Sequence, residues 1–169
     1  MLYTAIMSRF TLRAVAVMQM AVSVLSLAAA YTAQYGFNLQ PCILCLYQRV
    51  PFAVVIALSI IGLFVPARAA RALVALSGTV FLAGAAIAFF HVGVEQHWWE
   101  GTSSCGATLH QGSIEDLRAQ IMGAPIVKCD TPAWTLFGVS MAGYNLVMSL
   151  GLALASFYAA LNAGPKKPS

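Results

Sequence analysis

The stretch that decides the fold is QPCILCLYQRVPFAVVIALSIIGLFV, residues 40–65. From Val50 to Val65 it carries no charged residue, and a single Arg49 precedes that run. A helix needs about 20 apolar residues to cross a hydrocarbon core of roughly 30 Å, and 42–65 supplies them. The run shows no sustained period-2 alternation, so it reads as a helix and not as a barrel strand. Three further apolar stretches, 14–33, 72–94 and 134–161, meet the same condition. The last is long enough to need tilt or a protruding end. Only 8% of the 169 residues are charged and 60% are hydrophobic, against about 25% charged in a soluble domain. That polar surface is too small to cover a water-soluble globule. The expected fold is an all-α membrane protein: a four-transmembrane-helix bundle forming one membrane domain over 1–169, with an external loop at 95–133.

The net charge of +4 would suit nucleic acid in a soluble protein, but here its placement says more than its sum, and no nucleic-acid partner is expected. Arg9 and Arg13 precede the first span, Arg68 and Arg71 sit between the second and third, and Lys166 and Lys167 follow the fourth. By the positive-inside rule that side is the cytoplasm. All five acidic residues (Glu95, Glu100, Glu115, Asp116 and Asp130) fall in the 95–133 loop on the other side, with the 34–41 connection. Both termini are therefore expected inside, and all four cysteines outside or at the outer membrane surface. Residues 1–30 also have the outline of a signal peptide, ending in Ala28-Ala29-Ala30. Their apolar run is longer than a usual signal core, so a retained span is the reading. Within the long loop, Ser113-Ile114-Glu115-Asp116 resembles a capping box, and Ile114, Leu117, Ile121 and Met122 recur at helical spacing. This predicts a short helix lying on the membrane surface.

The chemistry centres on Cys42-Ile43-Leu44-Cys45. Pro41 suits a first helical turn, where its missing N–H costs nothing, which puts both cysteines in the opening turn of the second span and on one face. Unpaired N–H groups and the helix dipole favour a thiolate there, and thiolate is the attacking and the leaving species in disulfide exchange. Arg49, four residues after Cys45, projects from the same face one turn deeper. Alone it reads as a snorkelling interfacial arginine. Beside a Cys-X-X-Cys it reads as a cation that stabilises a thiolate or holds a ligand's carbonyl oxygen.

Cys105 and Cys129 bracket most of the loop. Bridging them would stabilise it by roughly 3 kcal/mol in the chain-entropy model, so a structural staple is one reading. A relay is the other. Cys129 precedes Asp130-Thr131-Pro132, where Thr131 is expected to cap the fourth helix and Pro132 to start it, tethering Cys129 at the membrane surface. Cys105 lies among small residues with little reason to be buried. Four cysteines allow three pairings, and the sequence does not choose among them. His91, His97 and His110 lie in or near the outer region, but a Cys-x2-Cys zinc site needs a second close ligand pair, and none is evident. No metal is expected. His91, near the end of the third span, is placed either to donate a hydrogen bond or proton to a ligand or simply at the interface. Trp98 and Trp99 read as an aromatic belt. Gly138/Ala142 and Gly151/Ala155 read as close-packing pairs of the fourth span, with Asn145 as an interhelical hydrogen-bonding residue.

Pro41-Cys42-Ile43-Leu44-Cys45-Leu46-Tyr47-Gln48-Arg49, four spans, and a later Cys105…Cys129-Asp130 pair followed by Trp134 together resemble the disulfide bond formation protein B (DsbB) family. The likeness covers nearly the whole chain in architecture and is strongest at 40–52 and 128–145. It implies a protein of the bacterial inner membrane that reoxidises a periplasmic thioredoxin-fold oxidase (DsbA-like) and passes two electrons to a quinone, ubiquinone or menaquinone. Reoxidising so strong an oxidant needs a more positive acceptor, which a quinone supplies and glutathione does not. By the same resemblance, Cys105 is attacked by the reduced partner, and Cys129, once released, attacks Cys42. Cys45 is left as a thiolate against the quinone, with Arg49 and His91 as quinone contacts. A vitamin K epoxide reductase-like protein shares the two-pair logic, but there the loop pair precedes the Cys-X-X-Cys. The non-enzymatic alternative is a membrane scaffold or transport subunit with structural disulfides.

Overall fold

The computed structural model describes residues 2–102, 105 and 127–163. It contains four long apolar helices, each of membrane-spanning length: α1 (Leu2–Tyr31), α2 (Ile43–Phe64), α3 (Ala67–Glu95) and α4 (Met141–Asn162). They form a four-helix membrane bundle. The surface helix expected over 113–122, His110 and the Lys166–Lys167 tail lie outside the described residues.

Helix α3 is the packing hub, in contact with α1, α2 and α4. Small residues let it approach its neighbours closely. A Cβ added at Gly84 would lie 3.1 Å from Pro51 of α2, and one at Gly78 would lie 3.0 Å from Ser156 of α4. The expected small pairs of the fourth span do not serve this purpose: a Cβ on Gly151 would meet nothing within 4 Å, and Gly138 lies outside the helix altogether. Close approach depends on which helix face meets a neighbour, and the spacing of small residues alone does not reveal that. The core is layered along the bundle. Leu12, Val74 and Ala160 close one end, Phe52, Val55 and Phe81 fill the middle, and Cys42, Leu44, Val94, Cys105 and Cys129 form the other end. Buried polar groups tie helices across the middle, as where Gln19 of α1 donates to the Ser156 hydroxyl of α4 at 2.6 Å.

All four helix starts differ from expectation. Helix α1 begins at Leu2, well before residue 14, so Arg9 and Arg13 ride within it instead of preceding it. Helix α3 begins at Ala67 behind Pro66, so Arg68 and Arg71 ride on its first turns instead of in a link. Helix α4 begins at Met141, seven residues' worth of span later than the apolar run suggested by starting at Trp134. The intervening residues form a small antiparallel hairpin, β1 (Thr135–Leu136) with β2 (Val139–Ser140). Phe137 and Gly138 turn it with positive φ, at 49° and 77°. Ser140, not Thr131, caps α4: its hydroxyl accepts from the Gly143 N–H at 3.1 Å. Helix α2 starts at Ile43, one residue after Cys42, which is its N-cap. At the far end of α1 the backbone widens into a π-helical turn over Thr32–Gly36, a local bulge of the kind frequent at functional sites.

Candidate functional site

The cysteine-bearing end of the bundle is built from the start of α2. Cys42 stands one position earlier than expected, as N-cap, and its Sγ accepts from the Cys45 N–H at 3.2 Å. It takes the place that a serine oxygen usually takes at a helix start. The turn that makes this bond also brings the two sulfurs 2.6 Å apart, both as free cysteines within bonding reach of each other.

Cys105 and Cys129 are joined by a disulfide, with their Cα atoms 5.3 Å apart. This bridge shares a core with the first pair: Cys42, Leu44, Val94, Cys105 and Cys129 form one buried cluster, with Cys45 against it. Cys105 is not accessible as its small neighbours suggested, being 2% exposed, and Cys129 is 1% exposed. The cause is the return of the chain over the end of α3. Gly101 sits so close that a Cβ there would be 3.0 Å from the Cys105 Cβ and 3.3 Å from Val94. The Thr102 hydroxyl lies 3.5 Å from the Cys105 sulfur.

The chain reaches this position because of the two tryptophans. Trp99 folds back on α3, donates from Nε1 to the Phe90 carbonyl at 3.0 Å, and stacks on the Phe90 ring at 5.9 Å. Gly93 leaves room for its ring. The aromatic pair therefore anchors the segment that covers Cys105.

His91 is buried, and it makes contacts the sequence did not reveal. Its Nε2 lies 3.5 Å from the Cys42 sulfur, and its Nδ1 lies 2.8 Å from the amide nitrogen of Gln48. The donor atoms of Cys42, Cys45 and His91 all fall within 4.8 Å of one another, a grouping of the kind that can also hold a soft metal ion. Asn145 makes the interhelical bond expected of it, donating to the Gln48 carbonyl oxygen. Glu95 is not a loop residue: it ends α3 and is buried. Its carboxyl accepts from the Ser140 hydroxyl and lies 3.8 Å from His91 Nε2. Glu95 follows His91 by four residues, and Gln48 follows Cys45 by three. Helical spacing accounts for the His91–Glu95 pair, whereas Gln48 meets His91 and Asn145 only across helices.

Arg49 reaches toward α1. Its Nη1 donates to Gln34 Oε1 at 2.6 Å, and the guanidinium lies 4.9 Å above the Tyr31 ring. The π-helical turn carries Gln34 to that position. A cavity of about 410 Å³ opens beside these groups, lined by Cys42, Cys45, Arg49 and His91 together with apolar residues of α1 and α4 such as Leu27 and Met148.

The chain matches the family model described as disulfide bond formation protein DsbB over residues 12–159. It is 33% identical over 150 residues to disulfide bond formation protein B of Xanthomonas campestris pv. campestris, covering 83% of this chain and 86% of that protein. The protein of the same description from Herminiimonas arsenicoxydans is 30% identical over 143 residues, covering 78% of this chain and 84% of its own length. An uncharacterized protein of Rickettsia prowazekii is 30% identical over 134 residues, with 78% and 77% covered. No solved structure matches the chain at a significant level.

Proposed function

The chain belongs to the disulfide bond formation protein DsbB family, and from that membership and the site's geometry we propose that it is a membrane thiol–disulfide oxidoreductase. It reoxidises a periplasmic thioredoxin-fold oxidase and passes the electrons to a membrane quinone. The observation that carries this reading is the packing of the Cys105–Cys129 bridge against Cys42 and Cys45 in one buried cluster. Two cysteine pairs gathered in one buried cluster are placed to exchange a disulfide, which a lone loop staple does not require.

In this mechanism a thiolate of the reduced partner attacks Cys105. The Cys105–Cys129 bond breaks, and Cys129 leaves as a thiolate. Cys129 then attacks Cys42 of an oxidised Cys42–Cys45 pair, and Cys45 leaves as a thiolate beside the cavity. The partner's second thiolate attacks the mixed disulfide and frees Cys105, so the partner gains a disulfide and this chain gains two electrons.

The cavity's residues fit a quinone head group. Its volume lies in the range of small-molecule sites, its walls are largely apolar, and Arg49 and His91 supply donors for carbonyl oxygens. When bound, a quinone supplies the sink for two electrons and two protons. Gln34 and Tyr31 hold the Arg49 guanidinium in place, and His91 holds a proton donor or acceptor next to Cys42. The Lys and Arg distribution supports cytoplasmic termini and a periplasmic cysteine end in a bacterial inner membrane.

The test is turnover of a short-chain quinone by purified protein and a reduced thioredoxin-fold partner. Cys45→Ser abolishes it; retained turnover overturns the reading. A second reading is favoured by one observation, the near-complete burial of Cys105, which suits a structural bridge. Thiol trapping in the native membrane separates the two. A relay given a reduced partner that lacks its second cysteine accumulates a mixed disulfide at Cys105, with Cys129 released as a thiol, whereas a staple captures none.

A further inference from the structure

Gln48, Asn145 and Ser149 form a hydrogen-bonded line that ends on His91, and its direction can be followed from the far end. The Ser149 hydroxyl, 1% exposed, donates to Asn145 Oδ1 at 2.9 Å. An amide has one accepting and one donating end, so the Asn145 NH2 faces Gln48, which accepts it on Oε1. The Gln48 NH2 is thereby turned to His91 Nδ1, 2.8 Å away. A ring nitrogen that receives a donor must be bare, so in the neutral ring the proton sits on the other nitrogen. That nitrogen, Nε2, faces the Cys42 sulfur at 3.5 Å and Glu95 Oε1 at 3.8 Å.

We propose that Gln48, oriented by Asn145, is a positioning residue that sets His91 in the Nε2–H tautomer and so points a donor at the Cys42 sulfur. The buried setting makes the arrangement selective. Gln48 is 7% and His91 4% exposed, and an unpartnered amide or imidazole nitrogen there costs more than at a surface. Among the described residues, the titratable groups facing the ring are Cys42 and Cys45 from the start of α2 and Glu95 from α3 itself. From α4 come the neutral Asn145 and Ser149, behind Gln48, with Ser140 beside Glu95. Gln48 itself touches neither sulfur in this arrangement; it acts through His91. The tautomer does not depend on the proposed function. Its consequence, a hydrogen bond delivered to Cys42 whenever that sulfur is released as a thiolate, rests on the redox reading.

The experiment is nitrogen NMR of the full-length protein labelled with ring-15N histidine in lipid nanodiscs, the His91 signals being identified by their loss in His91→Gln. The expected result is a bare Nδ1 and a protonated Nε2 in the neutral ring. Gln48→Glu presents a carboxyl oxygen that accepts, and the proton moves to Nδ1. Asn145→Leu removes the group that orients Gln48 without adding charge, and the two tautomers mix; this variant serves where Gln48→Glu does not fold. Partner-dependent turnover falls by about tenfold in Gln48→Glu, the scale of one charge-assisted hydrogen bond, while Gln48→Asn with a tautomer still on Nε2 keeps most of it. A protonated Nδ1 in the wild type, or His91 signals unmoved in both variants, overturns the proposal. Failure of quinone turnover in the wild type, with the tautomer as expected, counts against the proposed function alone.

Discussion

Part of the cover over Cys105 is anchored at a single glycine, and replacing it should make the disulfide more accessible. A Cβ at position 93 would lie 2.0 Å from Cζ2 and 2.2 Å from Cε2 of Trp99. These atoms belong to a rigid ring backed by Phe89 and Phe90, so in Gly93→Ala the ring must leave. Its departure removes the indole hydrogen bond to Phe90, worth about 1 kcal/mol, and the aromatic pairing, worth about another. The total of roughly 2 kcal/mol converts to about a 30-fold change in a local opening equilibrium. Trp99 anchors the segment carrying Gly101, which presses on Cys105 and Val94, so that opening loosens the cover over the Cys105 sulfur. With Cys105 and Cys129 at 2% and 1% exposure, a bulky water-soluble reductant needs the cover over the bridge to open, and this segment is part of that cover among the described residues.

The assay is the rate of Cys105–Cys129 reduction by a charged phosphine in nanodiscs, followed by alkylation and intact mass. Gly93→Ala should be reduced about 30-fold faster than wild type. Gly151→Ala is the control, because a Cβ there meets nothing within 4 Å. A wild-type rate in Gly93→Ala, or equal acceleration in Gly151→Ala, would refute the argument that the Trp99 anchor holds Cys105 buried.

Two further outcomes follow from side-chain contacts. Gln34→Ala frees the Arg49 guanidinium from its 2.6 Å acceptor, and KM for a short-chain quinone should rise about tenfold, toward the effect of Arg49→Gln; an unchanged KM in both variants would remove Arg49 from the quinone site. Ser140→Ala loses both the cap on the Gly143 N–H and the hydroxyl donated to Glu95. About 2 kcal/mol of stability should go with them, seen as a lower thermal midpoint in detergent that Ser140→Thr largely restores, and a wild-type midpoint in Ser140→Ala would contradict it.

The sequence by itself determined that four helices cross a membrane, because apolar runs of that length with so few charges have no other stable environment. It also put Cys42 and Cys45 at the start of the second helix and Arg49 beside the same cavity, since helical periodicity is a local property. Tertiary structure decided what lies across a gap in sequence. Residue spacing could not say that Cys105 would be covered, because part of the cover is Gly101, on a segment whose Trp99 folds onto Gly93. Nor could it bring Gln48 and Asn145, 97 positions apart, onto His91. The start of α4 escaped for a related reason: Trp134, Leu136, Phe137 and Val139 are as apolar as a helix, yet Gly138 at a positive φ turns them into a hairpin. Hydrophobicity places a chain in the bilayer, but which nitrogen of His91 carries a proton is set by the hydrogen bonds of helices that meet only once the bundle has folded.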